Sequence, residues 1–387
     1  MSDSAPAIHP SSSKSPSVAV IGAGAIGLGI AWRLASAGAR VDVFDQGEAG
    51  RGATHASGGM LAACIETEPG EEWMLPLNRE SQRRWPAFAA ELEAATGLSV
   101  ELRTEGTLYI GHTADDMARL RFLHEFQRGL DLPIELLNGA EARRREPYLQ
   151  PGVAGALFSP EDHQVENRAL SRALHAAVLK AGGRVHEHAA VTRIELRGGR
   201  AAGVWVGDTL HPADVVVLAA GAWSRGVEGL PAAGRPPVRP IKGQMLALRM
   251  DPAAPLLRHV VWTPTTYLIP RLDGRLVIGA TSEERGFNED LTAGGIFSLL
   301  EGVWRAVPGV AELPIDEMWT GFRPGSRDDA PILGTGEVEG LVYATGHHRN
   351  GILLAPVTAD AIARLILTGE TDPVIAGFGI GRFREAA

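Results

Sequence analysis

Hydrophobic and polar positions along the chain follow two rhythms. The first is a set of short unbroken runs of aliphatic and β-branched residues, which fits strands buried on both faces of a parallel sheet. Residues 18–21 form one such run, followed by a helical stretch and a second run at 41–44. "DVVVLAAGAWS" at 214–224 is another, and "GLVYATGHHRNGILLAPVTADAIARLIL" at 340–367 reads as a strand ending at Thr345, a turn and a helix. The runs at 18–21, 214–224 and 340–345 stop on glycine or small residues, the place where ligands sit in open α/β sheets.

The second rhythm alternates. "VTRIELRGGRAAGVWV" at 191–206 alternates on both sides of Gly198-Gly199 and predicts a β-hairpin. "YLIPRLDGRLVIGAT", from Tyr267, does the same around Asp273-Gly274, a tight-turn signal. Apolar spacing over 170–180 predicts a helix. The chain shows no internal repeat. Together the rhythms predict an α/β fold: a discontinuous Rossmann-like nucleotide-binding domain from 17–76, 146–235 and 323–387, with an inserted α+β substrate domain on an antiparallel sheet from 77–145 and 236–322.

Chemistry enters at the first turn. Gly22, Gly24 and Gly27 fit G-x-G-x-x-G between the first strand and its helix. Gly22 allows a tight turn, Gly24 lets the backbone approach a pyrophosphate, and Gly27 lets the helix lie close on the sheet. The helix N-terminus offers free N–H groups and partial positive charge to phosphates. Asp45 ends the second strand, where an acid bonds a ribose hydroxyl and repels the 2′-phosphate of NADP. The Gly/Ala/Ser stretch that follows, "GEAGRGATHASGGMLAA" at 47–63, suits a second, bulky part of a cofactor lying against backbone. A nicotinamide enzyme would instead run straight into its next crossover helix.

Composition narrows the classes. In 387 residues the net charge is −9, which argues against a nucleic-acid surface. The single cysteine, Cys64, excludes an intrachain disulfide and a multi-cysteine metal site, and fits a reducing cytoplasm. His347 and His348 have no third ligand at metal spacing, so no metal is expected. Residues 1–16 are polar and rich in Ser and Pro, read as a disordered tail without a secretory signal. The apolar run at 18–34 is interrupted by glycines and suits a buried strand and helix better than a membrane span.

Six stretches, "VIGAGAIGLGIAWRLASAG", "ATHASGGMLA", "LAAGAWS", "YLIPRLDGRLVIGAT", "GFRPGSRDDAPILG" and "TGHHRNGILLAPVTA", occur in this order over nearly the whole chain from Val18. With them the chain resembles the D-amino acid oxidase-like FAD-dependent oxidoreductases, and within these the glycine oxidase branch associated with thiamine biosynthesis. The resemblance implies non-covalent FAD, so the discontinuous domain becomes an FAD-binding domain. Gly22, Ala23, Gly24, Ala25, Ile26 and Gly27 would hold the pyrophosphate, and Asp45, with Gln46 beside it, the adenosine ribose. Thr54, Ser57, Gly58, Gly59 and Met60 would line the path to the flavin, with Val191 at the adenine. Ala220, Gly221 and Trp223 belong to the same cofactor set, and Asn350, Gly351, Ile352 and Leu353 would meet the flavin ring.

For the substrate, the resemblance implies that Arg323 clamps an amino acid carboxylate, Tyr267 supports it, and Arg349 helps hold that end of the pocket. Arg327 is the rival arginine, four residues on. Thr265 and Ser282 depart from the glycine oxidase pattern at positions bordering the pocket. Lys242, His347 and His348 carry no assigned role. The implied reaction is oxidation of glycine or another small amino acid to an imine, O2 being reduced to H2O2. Homo-oligomers, often tetramers, and a thiazole synthase partner are part of the same implication. Three alternatives stay open: a D-amino acid dehydrogenase, a sarcosine or other secondary-amine oxidase, and a non-catalytic flavin-binding protein.

Overall fold

Two missing carbon atoms explain why the glycine-led helix lies flat on the first strand. A Cβ at Gly27 would stand 2.0 Å from the Gly22 carbonyl oxygen. One at Gly22, whose φ is +105°, would stand 2.4 Å from the carbonyl oxygen of Ala219 on the neighbouring strand's end. Only glycine permits both approaches. The computed structural model, which describes residues 15–384, builds a six-stranded sheet around this contact. Its order is Ile332–Thr335, Leu341–Thr345, Val215–Leu218, Ser17–Ile21, Arg40–Phe44, Arg184–His186. Neighbours run parallel except the first pair.

Helices Ala25–Ser36, Asn167–Lys180, Ala355–Thr368 and Leu75–Thr96 cover one face of this sheet. Leu28, Leu34, Trp85, Phe88, Leu170 and Ile362 fill the core between them. The predicted hairpin pairs Val191–Arg197 with Arg200–Val206, and Thr209–Pro212 extends it to three strands. It covers the other face through Ile194 and Val204, packed with Ile21 and Leu218.

A second sheet of eight strands is antiparallel except where Val260–Trp262 runs parallel to Thr107–Gly111. Its order is Ile315–Gly325, Arg239–Arg249, Arg275–Gly279, Tyr267–Pro270, Val260–Trp262, Thr107–Gly111, Gly155–Ser159, Glu135–Asn138. The expected segment boundaries differ from this in three places. Gly155–Ser159 lies in the second sheet, although 146–235 was assigned to the nucleotide domain. It is buried along its whole length, so no alternation marks its sheet. Helix Leu75–Thr96, expected mostly in the inserted domain, contributes Leu77, Trp85, Phe88 and Leu92 to the core of the first sheet. The boundary at 323 falls inside strand Ile315–Gly325. The expected tail lies almost wholly outside the described residues.

The two sheets are joined by a buried guanidinium. Arg271, just past strand Tyr267–Pro270, is 4% exposed. It donates to Gly58 O (2.8 Å), Val165 O (2.7 Å), Asn167 Oδ1 (2.9 Å) and Gln164 Oε1 (3.1 Å). Burial lowers its pKa to about 10, which leaves it charged at neutral pH. Among the described residues no helix is long and apolar enough to cross a membrane.

Gly27→Ala should overpack the helix–strand contact and lower stability by about 1–3 kcal/mol. Urea unfolding measures this; an unchanged midpoint would mean that the helix can lift without loss.

Candidate active site

A cavity of about 910 Å³ runs between the two sheets, from the glycine turn to Arg323. At its near end Gly22, Gly24, Ala25 and Ile26 line the wall. Helix Ala25–Ser36 starts there with Gly24 as its N-cap, which has no side chain to bond the first-turn amides, so those beyond Ala25 are left for an anion. Thr54 Oγ1 accepts from the Ala25 amide at 2.9 Å. Asp45 and Gln46 also face the cavity. Burial raises the Asp45 pKa, opposed by amides that bond its two oxygens, Gly47 at 2.9 Å and Ala23 at 2.7 Å.

The middle of the cavity has walls of bare backbone. A Cβ at Gly58 would meet Ile269 Cδ1 at 2.5 Å, and one at Gly59, where φ is +65°, would meet Val165 O at 2.2 Å. Thr54, Ser57 and Met60 line the wall with these glycines. Val191, Ala220, Gly221 and Trp223 border the cavity from the first sheet's side, as do Asn350, Gly351 and Ile352 beyond the last parallel strand. Trp223 stacks on Phe287 with ring centroids 5.0 Å apart.

Three residues expected at the cofactor stand behind this wall. Ala23 is fully buried, and its amide is spent on Asp45. Gly27 is a packing residue. The Leu353 side chain is buried, and its carbonyl accepts from Ser81 Oγ (2.6 Å) and Trp85 Nε1 (2.9 Å).

The far end brings Arg323 and Tyr267 together. Arg323 lies in strand Ile315–Gly325, opposite Ile241, although the glycines and proline around it read locally as a loop. This is an edge strand, where Pro324 is tolerated. Two glycines on neighbouring strands make room for the pair. A Cβ at Gly243 would be 2.8 Å from Arg323 Nη1, and one at Gly279 would be 2.5 Å from the Tyr267 hydroxyl. Arg323 Nη1 donates to Thr281 O at 3.1 Å. Burial raises the Tyr267 pKa, opposed by the charge of Arg323, and the hydroxyl itself points to Met245 Sδ at 3.9 Å. Trp262, 5.0 Å from the Tyr267 ring, completes the wall, and its Nε1 is buried without a partner. Thr265 and Ser282 line this end too, whereas Arg327 is exposed and does not.

Arg349 also reaches the cavity, but carboxylates occupy its fork: Nε donates to Glu66 Oε2 (3.1 Å) and Nη2 to Glu71 Oε1 (2.6 Å). Glu66 itself lines the cavity, and no feature of the sequence pattern marks it. Lys242 is wholly buried and donates to Asn288 Oδ1 (2.8 Å) and Asp290 O, away from the cavity. His347 is buried with Nε2 3.2 Å from Thr358 Oγ1, and burial pushes its pKa down to about 3. Burial also lowers His348, to about 4, against the pull of Asp329.

A glycine-turn sheet whose cavity continues to an arginine–tyrosine pair has the layout of a dinucleotide-binding protein with further room beyond the dinucleotide. The chain belongs to the DAO family, described as FAD dependent oxidoreductase, which matches residues 17–365. The cavity fits that cofactor: the start of helix Ala25–Ser36 would meet the pyrophosphate and Asp45 the ribose, and the cavity wall at Gly58–Gly59 would border the flat ring. Among curated relatives, the bifunctional protein ThiO/ThiG of Trichormus variabilis is 37% identical over 96% of this chain and 55% of its own length. The chain thus spans about half the length of that relative. Glycine oxidase of Geobacillus kaustophilus is 34% identical over 94% of this chain and 96% of its own. The crystal structure of glycine oxidase from the same organism superposes with a TM-score of 0.88 at 33% identity, covering 96% of this chain and 100% of that one.

The buried imidazole makes stability depend on pH. In the unfolded chain His347 takes a proton near its ordinary 6.5, and in the folded chain only near about 3. Unfolding therefore takes up a proton between these values, and stability falls as pH drops from about 6 towards 4, at up to about 1.4 kcal/mol per pH unit. Urea unfolding across this range should show His347→Gln with a slope shallower by one proton; equal slopes would show that His347 is protonated in the fold.

Proposed function

We propose that this chain is an amino acid oxidase that converts glycine, or an amino acid of similar size, to its imine and reduces O2 to H2O2. The observation that carries this is the Arg323–Tyr267 pair closing the cavity that begins at Gly22. Bound FAD supplies the hydride acceptor and hands the electrons to O2. The rest belongs to the chain's own residues. Arg323 offers a carboxylate a planar fork that can make two charge-assisted bonds at once. Tyr267 adds a hydroxyl donor from a buried strand position. With the carboxylate fixed, Cα has few orientations left, and positioning of its hydrogen accounts for much of the acceleration. Trp262 and Tyr267 keep water from this end.

The imine fits supply to thiazole formation in thiamine synthesis, with a thiazole synthase as the partner, in the cytoplasm and in a self-associated protein. Likeness to chains that carry ThiO and ThiG together supports this setting. A single buried cysteine suits a reducing compartment.

Anaerobic mixing with glycine, sarcosine, D-alanine and D-proline, followed as loss of flavin absorbance, tests the reading. Glycine should bleach the wild type. Arg323→Ala should raise the glycine concentration for half-maximal bleaching by about a hundredfold, the loss expected for one partner of a buried charge pair. Tyr267→Phe should raise it by about tenfold. No bleaching by any of the four, with FAD bound, would overturn the proposal, and so would unchanged glycine dependence in Arg323→Ala.

A further inference from the structure

The cavity carries a second charged group that the carboxylate clamp does not explain. Arg349 lies between two acids, Glu66 at 3.1 Å and Glu71 at 2.6 Å, so the three carry one net negative charge when both acids are ionised. Arg119, a further cation on this wall, is held by Glu68 at 2.7 Å beside Tyr109. Of the three acids, Glu66 is the one inside: its side chain is 15% exposed, against 36% for Glu71 and 49% for Glu68. Facing it are Arg349 and Glu71, the buried Asp162, and Tyr267, whose hydroxyl feels its charge.

The loop that presents Glu66 is built with buried polar groups. Asp162 accepts from the amides of Cys64 (3.0 Å) and Ile65 (2.7 Å). Gln127 Nε2 donates to the carbonyls of Ile65 (3.2 Å) and Thr67 (3.1 Å), and Thr67 Oγ1 to Ala63 O (2.9 Å). Buried polar side chains are costly unless paired, and here they fix the backbone of one short loop. Within 63–67 only Glu66 reaches the cavity.

We propose that Glu66 is the anionic pole of a site for a zwitterion: it holds the substrate ammonium opposite the Arg323–Tyr267 clamp and accepts the proton that the amine must lose. This rests on the amino acid oxidase reading and adds a catalytic residue to it. An N–H bond of the ammonium breaks and an O–H bond forms on Glu66. The freed lone pair becomes the second bond of the C=N as hydride leaves Cα. One proton and one hydride leave, the two hydrogens that O2 takes up as H2O2. Burial raises the Glu66 carboxyl to about 7, against the charge of Arg349 and helped by Asp162 and Glu71. A base of that strength is matched to proton transfer near neutral pH.

The test compares wild type, Glu66→Gln, Glu66→Asp and Glu71→Gln as FAD-loaded enzymes. Two readouts are taken from pH 5.5 to 9.5: the anaerobic rate of bleaching by glycine, and the binding of acetate, which has no ammonium, by its shift of the flavin spectrum. In wild type the rate should rise through about pH 7. Glu66→Gln should lose that rise and slow bleaching at pH 8 by about a hundredfold, while acetate binds at least as tightly. Glu66→Asp should keep a rise. Glu71→Gln removes a neighbouring negative charge and leaves Arg349 to Glu66, so its rise should move to lower pH. Wild-type rate and pH profile in Glu66→Gln would overturn the proposal, as would an unmoved rise in Glu71→Gln. Loss of acetate and glycine binding together in Glu66→Gln would assign Glu66 a merely structural role and overturn it too. Failure of wild type to bleach would instead bring down the oxidase reading on which it rests.

Discussion

The placing of the two sheets depends on one buried cation. Arg271 leaves the second sheet at the end of the strand that carries Tyr267 and spends four hydrogen bonds on Gly58 in the cavity wall and on Gln164, Val165 and Asn167 behind it. Its bond to the Gly58 carbonyl fixes the bare backbone where a flat ring fits. A guanidinium suits this because its donors fan out in one plane and it keeps its charge even when buried. Glu166, whose charge Arg271 feels, pairs with Arg275 at 3.2 Å, and the four acceptors of Arg271 are neutral oxygens. Such a hub is costly to desolvate and more costly to break, which ties the clamp and the ring site into one unit.

Space in the cavity is made by leaving out Cβ atoms on both sides. Gly22, Gly58 and Gly59 let the backbone of the cavity wall close on Ala219, Ile269 and Val165, and Gly243 and Gly279 let Arg323 and Tyr267 lie flat within the second sheet. These two sets differ in kind. The first includes positive φ and serves conformation as well as space, whereas Gly243 and Gly279 sit in or at the end of regular strands and serve space alone. Charge follows the same division, with a helix N-terminus and Asp45 at one end of the cavity and Arg323, Arg349 and Glu66 lining it farther on.

Much of this was legible in the sequence where a local rule decides the outcome. Unbroken aliphatic runs marked the parallel strands because both faces are covered, and Gly198-Gly199 marked the hairpin because a tight turn needs positive φ. Rules failed where the long-range partner decides. Gly155–Ser159 reads like any buried strand, and nothing local says which sheet it joins. Leu75–Thr96 is amphipathic towards helices of the other body. The "GFRPG" around Arg323 reads as a loop until its place at a sheet edge is known. Glu66 is one acid among several in an acidic stretch, and only the backbone clamp by Asp162 and Gln127, from distant parts of the chain, turns it inward.

On the proposed reading the Arg323–Tyr267 clamp makes the cavity a substrate site, and its geometry can be seen directly. A crystal structure of the FAD-loaded protein with acetate would show it. The carboxylate should lie in the fork of Arg323 with the Tyr267 hydroxyl on one oxygen, between Trp262 and the ring site. Acetate bound instead on Arg349 or Arg119, with Arg323 still turned to the Thr281 carbonyl, would contradict the assignment of the clamp.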